Sequence, residues 1–273
     1  MKKRHLYLLL LPGLLFLTIF MIIPIALTIG STLFHDGSFT FGGYMQFFAD
    51  EYFLSILFTT LRVSLLTTLI SIVLGFPVAY FISKIKSRMK IILLLLTIFP
   101  LLTSSVVRSF SWMVILGKNG LLNTMLLGIG LINEPLEILY TPTAVIIGLV
   151  HLFLPLIIVT LVGVMENIDE DLQSAALSLG ASKVTVFSRI ILPLCVPGLM
   201  IGSILVFVGS FTAYTTPALL GGRQRVISTF LYQNAIALND WRVASIVATI
   251  MIIVTFLIIG LMNKAANRLN PKG

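Results

Sequence analysis

Three histidines, one cysteine and ten carboxylates are the side chains from which this 273-residue chain would have to build acid–base, nucleophilic or metal chemistry. His5, His35 and His151 fall at different depths of the sequence, so no ligand set with metal spacing arises. Cys195 has no second cysteine to pair with and reads as a small apolar packing residue. No Gly-x-x-x-x-Gly-Lys-[Ser/Thr] stretch occurs, so the chain carries no phosphate cradle of its own. Without a convergent acid–base or metal set, an enzyme is not the expected class.

The elements that position these residues must live in lipid. Apolar residues make up 58% of the chain and charged residues 10%, with a mean hydropathy of +1.09. A soluble surface needs about a quarter charged residues. Six stretches reach the ~20 apolar residues that cross a bilayer as helix: Leu6–Phe34, Leu57–Ile82, Ile91–Ile115, Pro142–Val164, Leu194–Thr215 and Ala244–Met262. They are continuously apolar, which favours helices over barrel strands. The expectation is an all-α integral membrane protein, one six-helix domain over residues 1–273. The first stretch follows Lys2-Lys3-Arg4 but is longer than a signal h-region and lacks a small-residue cleavage site, so a retained helix is expected.

Charge orients the spans. With the N-terminus inside, the inner segments hold twelve of the 18 basic residues: Lys2, Lys3, Arg4, Lys84, Lys86, Arg88, Lys90, Lys183, Arg189, Lys264, Arg268 and Lys272. The outer segments hold four: Lys118, Arg223, Arg225 and Arg242. This asymmetry predicts both termini inside, and the net +8 reads as orientation rather than affinity for nucleic acid. Asp36, Asp50, Glu51, Glu134, Glu137 and Asp240 fall outside, and Glu166, Asp169, Glu170 and Asp171 in one inner loop. No acid lies within a span. Ion-coupled transporters commonly need ionisable groups near the midplane, so a driving force built into this chain is not expected.

Two arginines, Arg62 and Arg108, do fall within spans. Each can snorkel to the outer interface or pair inside the bundle, and Arg108 is also a candidate for the substrate pathway. Trp112, Phe211 and Tyr214 can line a pore and hold an ammonium group by cation–π attraction, or simply pack. Pro100 and Pro155 predict kinks, with Thr97, Thr103, Ser104 and Ser105 ready to satisfy freed carbonyls. A hydrogen bond between helices is expected for His151.

The inner segment Met165–Pro193 has its own pattern. Asp169 is a plausible N-cap, with Glu170 and Asp171 in a first turn that welcomes negative charge. Leu172, Ala175, Ala176 and Leu179 recur on one helical face, Gly180 reads as the stop, and Ser182 as the cap of a helix ending before Pro193. A short helix with an apolar, small-residue face either docks another protein or lies on its own bilayer.

The run from Asp171 through Ala175-Ala176, Gly180-Ala181-Ser182, Phe187, Ile190 and Leu192-Pro193 resembles the EAA loop of ABC importer permeases. Ser174 stands where that motif has its glutamate. The segments around Arg108–Trp112 and Gly120–Asn123, Tyr214 with Pro217 and Gly221-Gly222, and Asp240-Trp241 are similar to the spermidine/putrescine branch. The resemblance implies a type I importer of a bacterial inner membrane. Its expected partners are a second, distinct homologous permease, two ATP-binding subunits that hold ATP and magnesium, and an extracytoplasmic substrate-binding protein. No cofactor is expected in this chain. Asp171, Leu172, Ser174, Ala175, Ala176, Leu179, Gly180, Ala181 and Ser182 would receive the ATPase. Polyamines are the implied cargo; amino-acid-like or phosphonate compounds and iron(III) are alternatives within the class.

Overall fold

Apolar composition makes these segments helical, while proline and hydroxyl residues decide where the helices bend. The computed structural model describes residues 3–35, 38–223 and 225–269; Lys2, Asp36 and Lys272, counted in the charge tally, lie outside them. The first run comprises α1 (Lys3–Leu17), a π-helical turn (Thr18–Ile22) and α2 (Ile23–Leu33). A hairpin of β1 (Phe34–His35) and β2 (Ser38–Phe39), pairing Phe34 with Phe39, leads into α3 (Gly42–Ala49). Then come α4 (Glu51–Ser83), α5 (Arg88–Leu102), α6 (Ser105–Leu116), α7 (Leu121–Gly128) and α8 (Pro142–Met165). The short α9 (Glu170–Ser178) precedes a run of α10 (Lys183–Val186), a π-helical turn (Phe187–Ile191) and α11 (Leu192–Thr212). The chain continues with α12 (Thr215–Leu220), α13 (Ile227–Tyr232), a third π-helical turn (Gln233–Ala237) and α14 (Trp241–Leu269).

Five helical runs among the described residues are long and apolar enough to cross a bilayer: Leu10–Leu33, Glu51–Ser83, Pro142–Met165, Lys183–Thr212 and Trp241–Ala265. The third span, expected over Ile91–Ile115 with a kink at Pro100, is corrected in where and how sharply it bends. Here α5 and the stretch Ser105–Gly128 meet at a 95° corner, and the apolar runs number six only when this bent pair is taken as one. Pro100 does not itself break the chain. The break comes at Thr103 and Ser104, whose ψ angles of 150° and 131° leave the helical region.

A second correction concerns Pro193, where the helix was expected to stop. It runs on, because the turn ahead of the proline is π-helical, with Leu192 N–H donating to the Phe187 carbonyl. Proline removes a donor and crowds the carbonyl four residues back; widening the preceding turn accommodates both defects. The same device precedes Pro24, with Ile23 N–H donating to Thr18 O.

The molecule divides into two compact units. In the unit built on Ile56–Thr229, α8 packs along α11. Their approach needs glycine: a Cβ on Gly198 would lie 2.7 Å from Val164 Cγ2, and one on Gly202 3.0 Å from Ile157 Cδ1. Ala79, Ile157, Leu161, Cys195 and Val206 are fully buried in this core. α4 turns a face of small and hydroxyl residues inward, including Thr60, Ser64, Thr67, Ser71, Gly75 and Ala79. The other unit takes the chain up to Ser55 together with Phe230–Val254. There Phe53 stacks on Phe47 and tilts against Phe230, each at 5.3 Å between ring centroids.

Candidate coupling loop and transport pathway

The loop helix is defined at both ends by its own sequence. Asp169 Oδ1 accepts the Asp171 N–H at 2.9 Å, capping the start of α9. At the other end Gly180 adopts φ +86°, a left-handed conformation that costs residues with a Cβ ~1–2 kcal/mol. That turn lets Gly180 N–H reach Leu177 O and Ala181 N–H reach Ala176 O, both at 3.0 Å, a Schellman closure. Ser182 then caps α10, its Oγ accepting Thr185 N–H at 3.2 Å.

The expected apolar face divides in two. Ala176 and Ala181 are half-buried against the α8–α11 core. Leu172 is 49% exposed, Leu179 is 89% exposed, and Ala175 lies exposed between them. Asp171 and Ser174 are exposed as well. This hydrophobic strip faces away from the subunit's own core.

The loop is tied to the turn between α4 and α5 by contacts that sequence reading did not identify. Lys90 Nζ lies 2.5 Å from Glu166 Oε1, and Lys84 Nζ donates to Gln173 Oε1 at 3.0 Å. Phe187 packs edge-on against both Phe76 and Tyr80, at 5.6 and 5.7 Å. These partners are far apart in the chain, and only the basic composition of the α4–α5 turn hinted at an anionic neighbour.

At the corner, Arg108 is 6% exposed and closes the end of α5. Its Nη1 donates to Pro100 O, and also to Thr103 Oγ1 at 3.2 Å and Thr103 O at 3.5 Å. The last carbonyls of a helix lack intrahelical donors and carry its negative pole, so a guanidinium satisfies them in both respects. Arg108 is thus paired inside the bundle, one of the arrangements expected for it. Arg62, by contrast, is exposed on α4.

One turn further along α6, Trp112 is half-buried and donates from Nε1 to His151 Nδ1 on α8 at 3.1 Å. The expected interhelical hydrogen bond of His151 is therefore present. Accepting at Nδ1 leaves the neutral imidazole with its proton on Nε2, available to a further acceptor. Tyr214, 39% exposed, immediately precedes α12, which packs on α6. Phe211 is separate: it is fully buried and stacked on Phe207 at 5.7 Å. Asn123 is 1% exposed and ties down the segment after α7, bonding Leu136 through both O (2.9 Å) and N–H (2.8 Å). Among the described residues no group of histidines, cysteines and carboxylates is placed to hold a metal.

Comparison with known proteins supplies the frame for this geometry. Residues 14–269 match the family described as "Binding-protein-dependent transport system inner membrane component". The spermidine/putrescine transport system permease protein PotB of Escherichia coli is 33% identical over 264 residues, covering 94% of this chain and 96% of that protein. The PotB of Haemophilus influenzae is 34% identical over 264 residues, covering 94% and 92%. A solved bacterial alginate ABC transporter, in complex with a periplasmic protein bound to an alginate pentasaccharide, contains a chain of the same fold. The TM-score is 0.82 at 20% identity, covering 100% of this chain and 97% of that one. On that match and that identity, this chain belongs to the inner-membrane components of binding-protein-dependent transport systems and is a permease subunit with the ABC importer permease fold.

Proposed function

We propose that this permease imports polyamines of the spermidine/putrescine class, driven by ATP hydrolysed on separate subunits. The observation that carries the substrate is the 33% identity to a spermidine/putrescine permease across 94% of the chain. In this reading two ATP-binding subunits hold ATP and magnesium, a second homologous permease completes the pore, and an extracytoplasmic protein delivers the cargo. The periplasmic protein in the alginate complex supports that last partner. Both termini and the Met165–Pro193 loop are cytoplasmic, in keeping with the distribution of basic residues.

The strip formed by Leu172, Ala175 and Leu179 seats in the ATPase, with Asp171 and Ser174 at its edge and Ala176, Gly180, Ala181 and Ser182 holding its angle. Closure of the ATPase pair displaces α9, and the helices attached to it rock between inward and outward access. Along the pathway, Trp112 and Tyr214 offer ring faces to alkylammonium groups. Arg108, engaged with backbone carbonyls, holds the corner on which Trp112 is mounted.

The test is uptake by the complete importer in proteoliposomes, with its binding protein and internal ATP. Spermidine accumulation abolished by vanadate, and not competed by amino acids or phosphonates, is the expected result. Accumulation of another solute with spermidine ignored would replace the substrate. Accumulation driven by an ion gradient without ATP would remove the importer.

A further inference from the structure

Glu166 and Lys90 both sit where their own helices do not want them. Glu166 is the C-cap residue of α8, an anion at the negative pole of that helix. Lys90 lies in the first turn of α5, a cation at the positive pole, with no acid in that turn. Each opposes its helix dipole, and what reconciles them is the other, at 2.5 Å. The lysine is at the inner end of its span, where basic residues orient the chain, but the glutamate has no such reason to be there.

The pair joins two mechanically distinct parts. On one side the chain passes from Glu166 through three residues into α9, and Gln173 on α9 adds a second tie to Lys84. On the other side Lys90 lies in the first turn of a helix of 15 residues whose far end is the 95° corner closed by Arg108. A helix of that length spans ~20 Å as a rigid rod. α5 also packs along α8, so a push at its inner end is guided rather than dissipated.

We propose that the Lys90–Glu166 ion pair is the clasp through which displacement of the loop helix moves α5, so that the α5–α6 corner shifts with the ATPase cycle. The inference rests on the importer reading above. Lys90 and Glu166 are positioning residues: they touch neither cargo nor nucleotide. Lys84–Gln173 backs up the clasp, and the exposed strip of α9 stays free for its partner.

A charge exchange tests this. Lys90→Glu places two acids face to face, Glu166→Lys places two lysines, and the double exchange restores an attractive pair without altering the summed charge of the inner loops. The readout is cargo taken up per ATP hydrolysed by the full importer in proteoliposomes, with spermidine as probe. Each single variant is expected to lower that ratio about five- to tenfold at comparable assembly, and the double variant to recover most of it. Single variants with the wild-type ratio, or a double variant no better than either single one, overturn the clasp.

A second readout does not depend on the cargo. Cys195 is fully buried, so Ser104→Cys at the exposed corner gives this subunit a single exposed thiol, read in a complex whose other subunits lack cysteine. Its labelling rate is expected to change between nucleotide-free and vanadate-trapped complexes, to lose that change with Lys90→Glu, and to regain it with the exchange. A corner that still responds in Lys90→Glu overturns the clasp. A corner that responds in the wild type and not in Lys90→Glu, in a complex that ignores spermidine, removes the substrate reading and supports the clasp.

Discussion

Arg108 shows how one side chain can carry a backbone irregularity. Two helices meeting at 95° leave carbonyls short of N–H donors, and Arg108 Nη1 meets those of Pro100 and Thr103 from one buried position. Replacing Arg108 with leucine should destabilise the subunit by about 2–3 kcal/mol, the weight of charged hydrogen bonds lost at a buried helix end. Lysine should recover only part of that loss. Thermal unfolding of the purified complex in detergent checks this, and an unfolding temperature unchanged in Arg108→Leu would dissociate the arginine from the corner. Trp112 next to it has two separable properties, its ring face and its N–H. Trp112→Phe should cut the tie to His151 while keeping spermidine affinity nearly intact, whereas Trp112→Ala should raise the KM several-fold by removing the ring. Equal KM values for the two variants would take the ring out of the pathway.

Among the elements, α9 is the clearest case of a segment written in its own residues. Asp169, Gly180 and Ser182 were legible as cap, stop and cap because each acts on backbone groups within a few positions of itself. The expected apolar face was also legible, though its division into a buried Ala176 and an exposed Leu179 was not, since that depends on where α8 and α11 lie. Gly180 has open space around it, so a substitution there is limited by its φ of +86° and not by crowding. Gly180→Val should therefore uncouple ATP hydrolysis from uptake, while Gly180→Asn, a residue that tolerates the left-handed region, should keep most of the coupling. If valine and asparagine couple equally well, the loop angle is not what matters. The continuous helix through Pro193 is a local repair of another kind: the defect at the proline is absorbed by the wider turn ahead of it.

For the molecule as a whole, the charge distribution makes an orientation that can be measured directly. Thiols introduced at Lys118 and at Ser188 lie in exposed positions on opposite ends of the proposed topology, and buried Cys195 adds no background. Lys118→Cys should react with a membrane-impermeant maleimide in intact spheroplasts and Ser188→Cys only after permeabilisation; the reverse pattern would invert the chain. Sequence by itself determined that the solvent is lipid, where the six apolar stretches lie and how the loop helix is capped. These follow from side-chain transfer and from backbone hydrogen bonds closed within a turn or so of their residue. Only the tertiary structure decided that the third apolar stretch is a corner, that Arg108 closes it, and that Lys90 meets Glu166. The reason is distance along the chain. A local pattern records which groups must be satisfied or buried, but a partner many turns away is chosen by how whole helices pack, and no periodicity carries that choice.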